Sequence, residues 1–555
     1  MYESIMAFQA RIRAMTAPAR YRLYALGALA SLPYLAMGYF ARAHGYHLRS
    51  LLALGVTAAL GLLLLAGCTR TWRRFFLAHF LLLLPAIAYA AYALGFSVVP
   101  GRVLGILMLS ASWEEMRGLW MLWQGKWLLV PLGAALAAYL YLAWGVPDWP
   151  IFSGKAYLGA RALLVLALPV AAYAATDAAQ LIDGIALNPV AGSLMFIVGQ
   201  LPRARAEMRG EGIHKIPYHA RRDSSAEEVH VLIVGESARR NSWSVYGYER
   251  ATTPYLERIK GEAIVLARAR ADANLTQLAV PMILTGIAPE NLATTNVHGN
   301  LFDAAREAGY VTSWLVNQDI EVSTSIGITA DHLDYPPDMR PGLFGRHTPD
   351  DVLLPLYRRE LARAGQPRLI GMHIMESHWE YYRRYPPSFQ RFGHANQLNS
   401  MSILASGGSA GAAIIDAYDN STLYADWFIG QVIEAARALA VPVSVTFIPD
   451  HGESLSDFDA GIGGHGGPVY SAAEFEIPAF VWVNAPYRSA HPREVAALES
   501  NAAKEIHSHD FFYTLADLMG ITWPQAQPEH SLASERFVPD TARAVLVGGV
   551  LQERP

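Results

Sequence analysis

A single cysteine, Cys68, stands among the 555 residues, so no disulfide can close within the chain and metal sites built on cysteine pairs are excluded. Any metal must therefore be held by His, Asp, Glu or hydroxyl oxygen. Positive charge is not in excess either: 44 lysines and arginines face 48 aspartates and glutamates, a net charge of −4. A nucleic-acid partner calls for a concentrated basic face, and that class is set aside. Charged residues make up only 17% of the chain against 52% hydrophobic ones, and the mean hydropathy is +0.19. Such an excess marks a membrane protein. The excess is uneven, because the long apolar runs all lie before about residue 200 and the sequence after His214 reads as an ordinary soluble one.

Five runs approach the roughly 20 apolar residues needed to cross a bilayer: Leu23–Ala41, Leu51–Gly67, Phe75–Phe96, Trp127–Gly145 and the shorter Ala162–Thr176. No clean small-x-small cleavage site follows the first, and more spans come after it, so it reads as a retained anchor rather than a signal peptide. Arg11, Arg13, Arg20 and Arg22 precede the first run, and Arg70, Arg73 and Arg74 separate the second from the third. The positive-inside rule puts both segments in the cytoplasm, and five crossings then leave the C-terminal half outside. Arg42, Arg49 and Arg161 run against this pattern. Between runs three and four, "LMLSASWEEMRGLWMLW" sets Glu114, Glu115 and Arg117 among Trp113, Trp120 and Trp123. It reads either as an interfacial helix at headgroup level or as an acidic pair facing a lipid headgroup. The expected organisation is a five-helix transmembrane domain over 1–180, an amphipathic helix and linker over 181–228, and an α/β domain over 229–555.

In the last segment, "VHVLIVGES" has the β-branched content of a buried central strand, and "YVTSWLVNQ", "RLIGMHIMESH", "VPVSVTFIPDHGE" and "IPAFVWVN" repeat the pattern with helix-like stretches between. That alternation predicts an α/β domain with a mostly parallel sheet. Its strand ends carry metal-capable residues: Glu236, then His373 and His378, then Asp450 and His451, with His465 in "GIGGHGGP". One such end is an ordinary turn. Several are a candidate site, because parallel strands bring their C-terminal ends to one edge. Between the first two of these strands, Thr276 opens an apparent helix in "ADANLTQLAVPMILTGIAP". Its hydroxyl reads either as a helix cap or as a nucleophile beside helix-start N–H groups and a metal.

Six ordered segments carry a resemblance: "VGESARRNSWSVYGYERATTPYL", "HIMESHWEYYRRYP", "DAYDNSTLYADWFI", "PDHGESL", "HGGPVYSAAEFEIPAFVW" and "SHDFFYTLADLMGI". With them the chain resembles the phosphoethanolamine transferases, the membrane-anchored, sulfatase-like branch of the alkaline-phosphatase superfamily. The family's nucleophilic threonine stands five residues before the proline of a Val-Pro pair, which matches Thr276 before Val280–Pro281. The resemblance implies zinc, one ion or two, held by Glu236, Thr276, Asp450 and His451. Catalysis would involve Thr276, His378 and His465; His373, His378 and His465 would meet the phosphoryl group, and Ser110 with Glu114 the lipid. It further implies transfer of phosphoethanolamine from phosphatidylethanolamine, through a phosphothreonine enzyme, to a cell-envelope glycan or lipopolysaccharide. The place of such an enzyme is the bacterial inner membrane, multi-pass, with its catalytic domain in the periplasm.

Two departures bear on the acceptor. Ile106 stands where lipid A-modifying members have an asparagine, and Asp272 and Met282 stand where they have a disulfide around the nucleophile. The second departure weighs against lipid A as the acceptor and leaves core-oligosaccharide heptose, periplasmic glucan or another glycan open. A sulfatase needs a C/S-x-P-x-R element, which the chain does not contain. A phosphoglycerol transferase, another phosphotransferase or hydrolase on the same metal site, and an inactive membrane scaffold are the alternatives.

Overall fold

The computed structural model describes residues 16–46, 48–96, 99–101, 104–105, 108, 129–151, 185–208, 214–291, 296–318, 330–336, 349–393, 410–455, 463–467, 469–539 and 544–553. The chain divides into two compact units, Met1–Gly105 with Trp123–Ala204 and Ile106–Leu122 with Arg205–Pro555.

In the first unit, helices α1 (Ala17–Ala43), α2 (Leu48–Thr69) and α3 (Trp72–Phe96) follow the first three apolar runs. These three are long and apolar enough to cross a membrane. Pro33 in α1 and Pro85 in α3 lie inside their helices, as prolines can where neighbouring helices satisfy the freed carbonyls. Leu35, Leu52, Leu64 and Leu81 remain exposed, as side chains facing lipid do. Helix α4 (Leu129–Trp144) answers to the fourth run, whose first two residues, Trp127 and Leu128, lie outside the described residues. The fifth expected run lies outside the described residues, and among the described residues three helices are of crossing length. Arg22 donates to the Gly145 carbonyl (2.7 Å) and Arg73 to that of Val146 (2.8 Å). The beginnings of α1 and α3 thus meet the end of α4, the arrangement that alternating crossings produce.

The second unit is built on an eight-stranded sheet of β1 (Val229–Gly235), β2 (Ala263–Arg270), β3 (Val311–Val316), β4 (His332–Asp334), β5 (Arg368–His373), β6 (Val443–Pro449), β7 (Glu476–Val483) and β8 (Glu505–His507), in the order β8-β2-β7-β6-β1-β5-β3-β4. Strand β1 is central, as its apolar run predicted: Val231 and Ile233 enter the core on one face, Leu232 and Val234 that on the other. The sheet is mixed: β7 runs antiparallel to both β2 and β6, and the other pairings are parallel, as expected of a mostly parallel sheet. The β7 segment "IPAFVWVN" has the same composition as its parallel neighbours, and composition does not encode direction. Three helices matter below: α5 (Thr276–Thr285), α6 (Ala410–Arg437) and α7 (Asp510–Leu518).

Candidate active site

Strands β1, β5 and β6 end level with one another, since Val234 pairs with His373 and Gly235 with Pro449. The register places Glu236, His373 and Asp450–His451 along one edge. Gly235 is required there: a Cβ on it would lie 2.2 Å from Glu376 Oε2. Ser237 then takes a left-handed φ of 56°, and the chain turns away with Glu236 fully buried.

Into this edge α5 brings Thr276, its first residue, from a loop that is buried throughout. The Thr276 hydroxyl lies 3.4 Å and 3.3 Å from the two Glu236 carboxylate oxygens and 3.3 Å from His451 Nε2. His451 Nδ1 donates to the Gly452 carbonyl at 2.8 Å, which leaves Nε2 as a lone pair facing the hydroxyl. Asp450 Oδ1 accepts from the backbone N–H of Ser237 (3.1 Å) and of His451 (2.7 Å). Its other oxygen, Oδ2, is buried without a hydrogen-bond donor, 3.3 Å from His451 Nε2. Glu236 accepts from Ser237 Oγ (2.9 Å) and Gln318 Nε2 (2.7 Å).

The remaining sequence-predicted histidines are gathered less tightly. His373 lies buried with Nε2 at 3.9 Å from Glu236 Oε2, and neither ring nitrogen has a hydrogen-bond partner. The His465 ring is 4.3 Å from that of His451 and 5.9 Å from that of His378. Its Nδ1 donates to Glu453 at 2.6 Å, while His378 Nδ1 accepts from Arg384 at 3.2 Å. Ser110 and Glu114, like Ile106, lie outside the described residues.

Sequence reasoning missed Gln318, Glu453 and Arg384. Gln318 ends the β3 segment and Glu453 follows His451 by two residues, so a rule admitting any polar residue near a strand end finds both. Arg384 carries no such signal.

Burial, with Asp450 alongside, raises Glu236 well above the usual carboxylate range. Burial also lowers His451, and it lowers His373 to about 4, so both imidazoles are neutral. His465 is the exception: burial would lower it, but the Glu453 carboxylate, with Glu236 and Asp450 beyond, raises it to about 10. Two desolvated carboxylates, one oxygen without a donor and an imidazole lone pair form a pocket of negative potential. Glu236 and His451 offer an oxygen and a nitrogen that, with a ring nitrogen of His465, lie within 4.8 Å of one another, His465 holding a proton rather than an ion while Glu453 keeps it charged. Hard oxygen and borderline nitrogen donors at that spacing fit a zinc-like cation.

Comparisons with known proteins agree with this geometry. A model of the sulfatase family matches residues 229–521. The Kdo(2)-lipid A phosphoethanolamine 7''-transferase of Escherichia coli K12 is 28% identical over 303 residues, which is 53% of this chain and 52% of that protein. The chain spans about half the length of the curated relatives it matches. Among solved structures, the integral membrane protein lipooligosaccharide phosphoethanolamine transferase A of Neisseria meningitidis matches with a TM-score of 0.63 at 20% identity, over 93% of this chain and 98% of that one. The C-terminal periplasmic domain of EptC from Escherichia coli, crystallised in complex with zinc, matches with a TM-score of 0.53 at 22% identity, over 61% of this chain and 96% of that one. At these identities the two structures show the fold. The resemblance read from the sequence thus meets relatives that are named phosphoethanolamine transferases, and with the family model covering more than half of its residues the chain belongs to the sulfatase family.

Proposed function

We propose that the protein is a membrane-anchored phosphoethanolamine transferase of the inner membrane, its catalytic domain over 229–555 facing the periplasm. It takes phosphoethanolamine from phosphatidylethanolamine and passes it to a cell-envelope glycan or lipopolysaccharide. The observation that carries this reading is the Thr276 hydroxyl, held 3.3 Å from both Glu236 Oε2 and His451 Nε2 at the first turn of α5.

Glu236, Thr276, Asp450 and His451 would hold the zinc. Bound there, it supplies Lewis acidity that lowers the hydroxyl pKa and withdraws charge from the phosphoryl oxygens. The chain's own residues do the rest. Gln318 and Ser237 fix the rotamer of Glu236, and Gly452 fixes the tautomer of His451. Thr276 Oγ forms its bond to phosphorus as the bond from phosphorus to the diacylglycerol oxygen breaks. That oxygen takes a proton from His465, kept protonated by Glu453, and the proton released by Thr276 restores the imidazolium. In the second step an acceptor hydroxyl attacks the same phosphorus and Thr276 leaves, regaining its proton. His373 and His378 line the phosphoryl position, the first N–H groups of α5 favour its negative charge, and Ser110 with Glu114 meets the donor headgroup.

The test is intact-protein mass spectrometry after incubation with phosphatidylethanolamine in detergent. A phosphoethanolamine-sized adduct is expected on the wild type and not on Thr276→Ala. A zinc-loaded wild type that acquires no adduct from this lipid but acquires a phosphoglycerol adduct from phosphatidylglycerol would overturn the donor.

A further inference from the structure

A second group of imidazoles and carboxylates flanks the loop that carries Thr276 and shares no residue with the site above. Its hub is Asp272, fully buried four residues before Thr276. Asp272 Oδ1 accepts from His507 Nδ1 at 2.9 Å. Its Oδ2 accepts from Ser508 Oγ (2.7 Å), from the His509 backbone N–H (2.7 Å) and from His509 Nδ1 (2.9 Å). Four donors saturate this carboxylate, which cannot also ligate an ion.

Its effect is on His509. With Nδ1 donating to Asp272, Nε2 is the His509 nitrogen left for an ion, 3.5 Å from Asp510 Oδ1, and a zinc ion there would displace its proton. His530 Nδ1 donates to the same Asp510 oxygen at 2.6 Å, a hydrogen bond that an ion held between the two would replace, and Asp510 Oδ2 accepts from the His507 backbone N–H at 3.2 Å. His509, Asp510 and His530 thus present one ligand atom each, all within 4.8 Å of one another. A carboxylate fixing the far nitrogen of an imidazole is how metal-binding histidines are oriented. His509 and Asp510 are buried, whereas the His530 side chain is 31% exposed, which gives an ion a way in and water a fourth position. Two imidazole nitrogens with one carboxylate oxygen suit zinc, whereas calcium and magnesium take all-oxygen sets.

We propose that His509, Asp510 and His530 form a second, structural zinc site, with Asp272 as the carboxylate that orients His509. Its role would be to pin the nucleophile's loop. The Asp272 carbonyl accepts from the Leu546 N–H at 2.8 Å and the Asn274 N–H donates back to Leu546 at 3.3 Å, so an ion on His509 acts through Asp272 on a segment already tied down on its other side.

The test does not depend on activity. Full-length protein carrying Glu236→Gln, Asp450→Asn and His451→Ala, which disables the first site, is equilibrated with zinc, desalted and assayed for bound metal and thermal melting. About one zinc per chain is expected, with a rise in melting temperature on zinc addition, and both should vanish when His509→Ala and His530→Ala are added. No retained zinc, or zinc indifferent to those two substitutions, would overturn the proposal and leave an ion-pair network of protonated histidines. Should the triple variant not fold, His530→Ala in the wild type decides the matter, because its partly exposed side chain can be removed without opening the core. Loss of about one equivalent supports the site; unchanged content overturns it.

Discussion

The two histidine–carboxylate groups of the soluble unit use the same residue types and differ in how their acids are satisfied. In the first, Asp450 Oδ2 is buried without a donor, and burial beside Asp450 raises Glu236. In the second, Asp272 is just as buried, and burial alone would raise it, but the His509 and His507 imidazoles hold it far below the usual carboxylate range. The partners move the other way. His451 is lowered by burial, whereas His507 and His509, which burial would also lower, are raised by Asp272 to about 10 and about 9. Burial of an acid is therefore no sign of chemistry by itself; what counts is what its donors are, the neutral Ser237 and Gln318 for Glu236 and two imidazoles for Asp272. Glu236 faces the Thr276 hydroxyl and Asp450 keeps one oxygen without a donor, while Asp272 is used up as a buttress.

Substitutions at the two acids should separate these roles. Asp450→Asn removes charge at the first cluster, and we expect transfer activity to fall by about 10²-fold or more with zinc content down by one equivalent, read by metal analysis, while the melting temperature changes little. Dialysis of the wild type against a chelator should abolish activity reversibly, with zinc restoring it, and should also lower the melting temperature as the second site empties. Asp272→Asn should show the reverse balance: a loss of about 3 kcal/mol in stability, because His507 and His509 are left buried without their counter-charge, and a smaller loss of activity through the loosened loop. Equal effects of the two substitutions on stability would erase the distinction.

A third buried acid provides the smallest test. Asp426 caps the backbone N–H groups of Tyr255 and Leu256 (2.7 and 3.0 Å), yet burial pushes it up to about 7. A carboxyl raised on folding adds stability that is full below its unfolded value of about 3.9 and is lost as pH rises towards about 7. The wild-type melting temperature should therefore fall between pH 5 and 8 more steeply than that of Asp426→Asn, which cannot ionise.

Much of this was legible in the sequence. Strands β1, β3, β5, β6 and β7 announced themselves as β-branched runs, and the parallel rule was enough to gather Glu236, His373, Asp450 and His451 at one edge. The reading missed β2, whose "AIVLARAR" alternates alanine with arginine, and the three-residue β4 and β8, because little of their pairing is carried by apolar content. It also missed the reversal at β7. Among site residues, Gln318 escaped because an amide is not a titratable group, although it holds Glu236 as firmly as any charge would. Asp272 was noticed only as a position without cysteine; its three partners lie 235 to 237 residues away, and no local pattern links them. In the apolar half, hydropathy located α1 to α3 well, since length and composition alone define a crossing helix.

The most direct test of the central claim is to locate the modification. Protein quenched in acid after reaction with phosphatidylethanolamine is digested and its peptides sequenced by tandem mass spectrometry, for the wild type, Asp450→Asn and Asp272→Asn. We predict phosphoethanolamine on Thr276 in the wild type, retained at a lower level in Asp272→Asn and absent from Asp450→Asn. Label on any other residue, or label on Thr276 that survives Asp450→Asn but not Asp272→Asn, would contradict the assignment of chemistry to the first cluster.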